Sequence, residues 1–226
     1  MSDTKQFLLL VGSPRAANST SESLGMFLWR QMNHERFSLI KEYTHRLVVR
    51  EEKRDYLINL INKADLIVFS FPLYVDHLPA PLIKTMEIIY EMKGNLKRPQ
   101  NKSLIAISNS GFPEASQIDL AIKICQVFTD EMGFQWKGGL QFGGGEVIHG
   151  RDLEDAGRMT ESLKKGLKIA GRNLSQDKPI SQEAKELVAE QTIPMGMFKL
   201  FANLGWRWRA LKNWNVFNLK NKPFSN

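Results

Sequence analysis

The sequence predicts an α/β fold in which helices cover both faces of a five-stranded parallel sheet. Apolar runs of strand length alternate along the chain with segments whose apolar residues recur at helical spacing. The 226 residues, 42% of them apolar, are enough to bury a sizeable core. The first run, Phe7–Val11, is apolar at every position, which is typical of a central strand covered on both faces.

Each of the five strands is predicted from a short apolar run. The runs are Phe7–Val11, Phe37–Ile40, Asp65–Phe71, Lys102–Ser108 and Phe134–Phe142. Gly12 ends the first of them, and polar loops follow the third and the fourth.

Five helices are predicted between and after these strands, so that strands and helices alternate strictly. The first helix lies within residues 20–32, and the third begins near Ala80 with Pro81 in its first turn. The other three are predicted from apolar stripes: Leu57, Leu60, Ile61 and Ala64; Ile118, Ala121, Ile122, Cys125, Phe128 and Met132; and Leu153, Ala156, Met159, Leu163, Leu167 and Ala170. Cys125 lies on the second of these stripes, so we predict that it is a core residue and not a nucleophile.

The composition excludes several classes of protein. One cysteine cannot form an intramolecular disulfide, an iron–sulfur cluster or a Cys-rich zinc site. The apolar run near the N-terminus is too short for a signal peptide, and no window approaches the ~18 apolar residues of a membrane span. We therefore expect a cytoplasmic protein.

The net charge of +7 is concentrated at the C-terminus. Residues 194–226 carry six basic and no acidic side chains, so the other 25 basic residues nearly balance the 24 acidic ones. A nearly neutral body argues against a broad nucleic-acid-binding surface, and we expect no nucleic-acid partner.

The loop after the first strand, GSPRAANSTSES, has the composition of an anion site. It carries five hydroxyl side chains, Asn18 and Arg15 just before a helix, whose start offers unpaired N–H groups and a partial positive charge. The alternative is that Asn18 or Ser19 only caps the helix, with Glu22 completing a capping box. The loop is neither a Walker loop nor GxGxxG, which argues against a nucleoside triphosphate or a Rossmann-bound dinucleotide.

Three motifs together resemble a known family. GSPR-x-x-NSTS, PLY-x-x-x-x-P-x-x-x-x-K and SGFPE each follow a predicted strand, and the chain over residues 6–175 is similar to the flavodoxin-like NAD(P)H-dependent oxidoreductases of the FMN-reductase superfamily. The resemblance implies a doubly wound sheet of order 2-1-3-4-5, a bound FMN, NADH or NADPH as co-substrate, and a homodimer. It also implies an FMN-binding domain at 1–175. Residues 176–226, beyond the resemblance, are predicted to form a basic amphipathic helical extension.

The resemblance also implies where FMN is held. The first loop would bind its phosphate, the second would lie along the isoalloxazine ring, and the third would cover the edge of the ring. The corresponding residues are Ser13, Arg15, Asn18, Ser19, Thr20 and Ser21 in the first loop, Pro72, Leu73, Tyr74 and Val75 in the second, and Ser110, Gly111 and Phe112 in the third.

The residue types in the second and third loops suit a flavin on physical grounds as well. Tyr74 can flank a flat ring, and Gly111 allows a close backbone approach; the alternative for Tyr74 is a loop residue packed on the core. His77 is a candidate proton donor to a reduced acceptor, or an exposed loop histidine. The remaining histidines have no metal-ligand spacing, and we predict no metal site.

Two hypotheses for function follow. The first is an enzyme that passes a hydride from NADH or NADPH through bound FMN to a small acceptor, namely a quinone, a nitroaromatic or a flavin. The second is a non-enzymatic flavodoxin-like electron carrier or FMN-binding module. A carrier that docks on basic redox partners would be acidic, and the nearly neutral body favours the enzyme.

The C-terminal segment predicts a basic amphipathic helix from Met195 to Trp214, which Gly205 can kink. Its apolar positions at helical spacing are Met197, Phe201, Leu204, Trp208 and Leu211. The favoured interpretation is that this face docks on the body or on a second subunit. The alternative is peripheral contact with a membrane surface.

Overall fold

The structure is a computed structural model that describes residues 4–15, 17–191 and 194–215. The chain divides into two compact units, residues 1–192 and 193–226. The first contains the sheet and seven helices among its described residues, and the second contains one helix.

The sheet has five parallel strands, as predicted. They are β1 (Lys5–Val11), β2 (Phe37–Tyr43), β3 (Leu66–Pro72), β4 (Ser103–Asn109) and β5 (Gln135–Phe142). Their order across the sheet is β2-β1-β3-β4-β5, and every neighbouring pair is parallel, which confirms the predicted topology. The order reverses between β1 and β3, so this is the switch point where a doubly wound sheet binds ligands.

Helices cover both faces of the sheet. The helices of the first unit are α1 (Thr20–Arg30), α2 (Thr44–Leu47), α3 (Lys53–Lys63), α4 (Ala80–Glu91), α5 (Asp119–Glu131), α6 (Glu161–Ser175) and α7 (Gln182–Ala189). The buried residues of α1, α6 and α7 form the core on one face, and those of α2, α3, α4 and α5 form the core on the other.

The alternation of side chains along β1 explains its uninterrupted apolar sequence. Phe7 and Leu9 lie in the core with α1 and α6, whereas Leu8 and Leu10 lie in the opposite core with α3 and α4. All four are completely buried. A strand covered on both faces needs apolar side chains at every position.

Cys125 is buried on α5, which confirms its assignment to the core. Burial raises the pKa of the Cys125 thiol well above its ordinary range, so the thiol stays protonated. A protonated, buried thiol is not a nucleophile.

Two predictions about local structure are wrong. β2 continues three residues beyond Ile40 and is followed by the short α2, so strands and helices do not alternate strictly. The closing helix was predicted from Leu153, but α6 begins only at Glu161, after two short 3₁₀ helices. Gly157, with φ 72° and ψ −170°, cannot be part of a helix, and the turn there leaves Met159 exposed.

The helix α7 packs against α6 and β5 within the first unit. A Cβ atom at Gly166 of α6 would lie 2.8 Å from the carbonyl oxygen of Ala184 on α7, so the glycine permits this close contact. The domain boundary expected after residue 175 stays a prediction.

The second unit contains α8 (Met195–Lys212), which runs through Gly205 without interruption. Within the residues that the structure describes, no helix is long and apolar enough to cross a membrane.

Candidate functional site

A cleft opens where the parallel strands end. Val11 pairs with Ser70 and Pro72 pairs with Asn109, so the loops after β1, β3 and β4 start side by side. The cleft has a volume of about 170 Å³. It is lined by Ser13, Arg15, Ser19, Thr20, Ser21, Pro72, Leu73, Tyr74, Asn109, Gly111, Gly145, Glu146 and His149. Three loops and the Gly-rich segment after β5 therefore form one candidate site at the switch point of the sheet.

The amino-terminal end of α1 forms one end of this cleft. Ser19 caps the helix, and its Oγ accepts the backbone N–H of Glu22 at 3.2 Å. The N–H groups of Thr20 and Ser21 lie in the first turn, where the helix itself has no carbonyl to accept them. The capping offered as an alternative is thus present, and it leaves the first two N–H groups of the helix for a ligand.

Two of the hydroxyl groups hold the loops together. Ser21 Oγ donates to Asn109 Oδ1 at 2.8 Å in a buried hydrogen bond, and Thr20 Oγ1 donates to the carbonyl of Gly145 at 3.2 Å. These bonds join the start of α1 to the end of β4 and to the Gly-rich segment. The protons of both hydroxyls are committed to the protein.

Two other hydroxyl groups can donate to a ligand. Ser13 Oγ accepts the backbone N–H of Arg15 at 3.3 Å, and Ser19 Oγ accepts that of Glu22. Among the described residues, neither hydroxyl has an acceptor for its proton, and no acidic side chain forms an ion pair with Arg15. A guanidinium, two hydroxyls and a helix start therefore surround a position suited to a phosphate.

Hydrogen bonds to the carboxylate of Glu22 anchor this loop. Its carboxylate accepts hydrogen bonds from Lys41 Nζ at 2.5 Å, Tyr43 Oη at 2.6 Å and the backbone N–H of Asn18 at 2.8 Å. Partial burial opposes ionisation, but the hydrogen bonds from Lys41, Tyr43 and Asn18 outweigh it and keep the pKa of Glu22 below its ordinary value. Asn18 has a positive φ of 61°, and its N–H is used by Glu22.

A tight turn shapes the loop after β3. The backbone groups of Tyr74 and His77 exchange two hydrogen bonds of 3.0 Å, and the residues between them, Val75 and Asp76, have positive φ values of 48° and 59°. This conformation is costly for a β-branched residue. It places Val75, 97% exposed, at the tip of the turn, while the half-exposed Tyr74 lines the cleft.

His77, the candidate proton donor, does not line the cleft. Its ring borders an apolar groove with Ile83 and Phe128 of the helices α4 and α5, and its Nδ1 lies 3.5 Å from the carbonyl of Leu78. The turn that brings Tyr74 into the cleft places the ring of His77 in this groove.

Glycines allow the segment after β5 to close the site. A Cβ atom at Gly143 would overlap the carbonyl of Pro113, and one at Gly150, where φ is 71°, would overlap the carbonyl of Asn18. The segment 143–150 therefore fits between the first and third loops only because these positions lack a side chain.

The cleft brings together nine of the thirteen predicted cofactor residues: Ser13, Arg15, Ser19, Thr20, Ser21, Pro72, Leu73, Tyr74 and Gly111. The other four, Asn18, Val75, Ser110 and Phe112, lie outside its lining. Ser110 is buried, and its hydroxyl donates to the carbonyl of Phe112 at 2.9 Å. These four positions shape the loops.

Four lining residues were not among the predicted cofactor residues: Asn109, Gly145, Glu146 and His149. The signal available was the run of three glycines after β5, because the loop after that strand must emerge at the same edge of the sheet. His149 Nδ1 lies 3.6 Å from Glu146 Oε2 at the cleft. Within residues 4–15, 17–191 and 194–215, no three His, Cys, Asp or Glu side chains form a group that could hold a metal ion.

Solved structures share this architecture. No protein-family model and no curated protein matches the sequence. An FMN-dependent NADH-azoreductase from Bacillus anthracis in complex with FMN matches 76% of this chain and 100% of its own, with a TM-score of 0.54 and 12% identity. The chain has a flavodoxin-like fold.

Two further solved structures match the same fold. An NAD(P)H:quinone oxidoreductase from Methanothermobacter marburgensis matches 76% of this chain and 97% of its own, with a TM-score of 0.52 and 14% identity. An NADH:FMN oxidoreductase in its apo form matches 86% of this chain and 99% of its own, with a TM-score of 0.53 and 14% identity. At such identities, the likeness concerns the fold.

The substitution Glu22→Gln tests the anchoring of the first loop. We expect it to lower the free energy of unfolding at neutral pH by about 1–3 kcal/mol, because hydrogen bonds to a charged group are lost. The pKa of Glu22 is lower in the folded protein than its ordinary value of 4.5. The charge therefore stabilises the fold above about pH 4.5, and this contribution is lost as the pH falls through the folded-state pKa.

Urea unfolding of the wild type and the variant at neutral pH and at about pH 3 measures this effect. The difference between the two proteins should shrink in acid. A difference that stays the same at both pH values would show that the charge of Glu22 does not hold the loop.

Proposed function

We propose that this protein is an FMN-dependent oxidoreductase that transfers a hydride from NADH or NADPH to a small acceptor, namely a quinone, a nitroaromatic compound or a flavin. The observation that carries the proposal is the shape of one cleft, in which an anion site at the start of α1 adjoins an apolar wall. FMN has the matching shape, a phosphate at one end and a flat ring at the other.

The phosphate end is supported by its unused donors. Ser13 and Ser19 retain hydroxyl protons, and Arg15 has no acidic partner among the described residues. The first-turn N–H groups of α1 add two more donors. A dianionic phosphate would satisfy all of these groups at once, which neutral ligands could not do.

The ring end is supported by the loops after β3 and β4. Pro72, Leu73 and Tyr74 form a wall of the cleft, and Gly111 lies on it as well. A Cβ atom built at Gly111 would meet no atom within 4 Å, so the cleft is open beside it. A flat ring could lie against the wall with one face open to a second reactant.

FMN, when bound, would accept and pass on the hydride, and the chain's own residues would bind and orient it. We assign the delivery of a proton to the reduced acceptor to the imidazole of His149, because His149 lies on the cleft and His77 does not. Glu146, 3.6 Å away, would stabilise the protonated ring. The similar structures include enzymes named for NADH-azoreductase and quinone oxidoreductase activity, which supports this type of reaction.

A visible spectrum tests the proposal. Protein purified or reconstituted with FMN should show flavin bands near ~370 and ~450 nm, and anaerobic NADH or NADPH should bleach the second band. Re-oxidation by a quinone, a nitroaromatic compound or free flavin then identifies the acceptor. A protein that binds no FMN would overturn the proposal, and one that binds FMN without being reduced would be a carrier.

Removing phosphate donors should weaken FMN far more than riboflavin. In the double variant Arg15→Ala, Ser13→Ala, we expect the preference for FMN to fall by about 3 kcal/mol or more, because charge-assisted hydrogen bonds contribute roughly 1.5–3 kcal/mol each. Fluorescence titration with both flavins measures it. Ser23→Ala is the matched control, since the Ser23 hydroxyl donates to the carbonyl of Arg151 and does not line the cleft. An equal loss for both flavins would show that the phosphate lies elsewhere.

Tyr74→Ala should reduce turnover with NADH or NADPH by about tenfold or more, with little effect on the unfolding midpoint, because the ring orients reactants and is only half-buried. Tyr90→Ala is the control: Tyr90 is also 47% exposed but lies on α4, outside the cleft lining. Steady-state kinetics and thermal unfolding of both variants are the measurements. Normal turnover of folded Tyr74→Ala would show that Tyr74 is a packing residue.

A further inference from the structure

We propose that α8 binds the surface of an anionic lipid membrane with its axis in the plane of the interface. This interaction surface consists of residues of α8 and is independent of the oxidoreductase proposal.

The first observation is an exposed apolar stripe along α8. It consists of Met197, Leu200, Leu204, Trp208 and Leu211, which are spaced three or four residues apart and therefore share one face of the helix. Each of these side chains is between 49% and 65% exposed. Trp208 gives the stripe the residue type that is enriched at membrane–water interfaces.

The second observation is the position of the charges. Arg207 and Lys212 lie at the borders of the stripe by helical spacing, and the Nζ atom of Lys212 lies 5.8 Å from the ring centroid of Trp208. Lys199 and Arg209 add two more cations on α8. An apolar stripe between basic borders is the pattern of a helix that lies in an interface, with its cations directed at lipid headgroups.

The third observation decides between a membrane and a second copy of this chain. Residues 194–226 carry six basic residues and no acidic one. In a two-fold symmetric contact each α8 would face its own copy, which would bring like charges together with no counter-charge on the helix. An anionic lipid surface supplies that counter-charge across its whole area. The charges therefore favour lipid over a two-fold contact between two α8 helices.

Co-sedimentation of the full-length protein with vesicles tests the proposal. We expect binding to phosphatidylcholine vesicles that contain phosphatidylglycerol, much weaker binding to phosphatidylcholine alone, and release from the anionic vesicles by added salt. Equal sedimentation with both kinds of vesicle, or with neither, would overturn the proposal. The measurement does not use flavin or turnover, so it stands apart from the test of the proposed function.

The apolar stripe is tested by two substitutions of the same residue type. Trp206 and Trp208 are both 65% exposed, but two residues along a helix point to nearly opposite sides. Trp208→Ala should weaken partitioning into anionic vesicles by at least about fivefold, since a large apolar side chain is no longer buried. Trp206→Ala should bind within about twofold of the wild type. Equal effects of the two substitutions would count against the stripe.

The charges are tested by a second matched pair. Arg207→Gln with Lys212→Gln should weaken binding by about 30-fold, because each basic residue near an anionic surface contributes roughly a factor of five. Lys165→Gln with Lys168→Gln removes the same charge from exposed positions on α6 and should leave binding nearly unchanged. If this control pair weakened binding as much, net charge and not α8 would be responsible.

Light scattering on the same variants distinguishes lipid from protein contacts. Because exposed side chains of α8 are changed, the unfolding midpoint of the sheet unit should not move. The molar mass of Trp208→Ala should equal that of the wild type. A fall in molar mass would overturn the proposal, because it would show that the stripe is a contact between subunits.

Discussion

The candidate site depends on a short chain of buried hydrogen bonds that passes through Ser21. Ser70 Oγ of β3 donates to the carbonyl of Ser21 at 2.6 Å, and Ser21 Oγ donates to Asn109 Oδ1 at the end of β4. The three residues belong to three elements that are far apart in sequence, and all are buried. These bonds set where α1 begins relative to the strand ends, and the proposed anion site lies at the beginning of α1.

This constraint explains why the first loop contains more hydroxyl groups than a helix cap requires. Ser19 caps α1, while Thr20, Ser21 and Ser23 donate to groups in other segments, so a part of the loop chemistry is structural. The side-chain donors of this loop that remain for a ligand at the cleft are the hydroxyls of Ser13 and Ser19 and the guanidinium of Arg15. Capping and the proposed anion binding are therefore compatible roles of one segment, because the cap fixes the helix end at which an anion would bind.

Much of the fold could be predicted from the sequence because central parallel strands are covered on both faces and are apolar throughout. The edge strand β2 was predicted too short, because its last residues, Lys41–Tyr43, include two charged side chains that only partial coverage permits. The start of α6 was misjudged because the spacing of Leu153 and Ala156 fits a helix, although a non-helical glycine at 157 interrupts it. Local periodicity carries no information about such an interruption.

Part of the candidate site was predictable from residues at the end of a strand or just after it, whereas positions with a positive φ were harder to place from sequence. Pro72 ends β3, Leu73 and Tyr74 follow it, and all three line the cleft, whereas Val75 has a positive φ and lies at the tip of the loop. His149 also has a positive φ, of 51°, and lines the cleft, although it was not among the predicted site residues. Motif matching compares residue identities, so it cannot distinguish a lining residue from its neighbour at the tip.

The separation of charge along the chain gives the two units different physical tasks. The body is nearly neutral, so its cleft can attract an anion through local donors such as Arg15 without a field that would also attract nucleic acids or anionic surfaces. The six basic residues of the segment 194–226 have no acidic residue in that segment to balance them. Long-range attraction to an anionic surface would therefore act on this segment. Such attraction is screened within about a Debye length, ~10 Å at moderate ionic strength, whereas hydrogen bonds in a cleft are much less affected by salt. If both proposals hold, added salt should weaken the contact of α8 with lipid far more than the binding of FMN in the cleft.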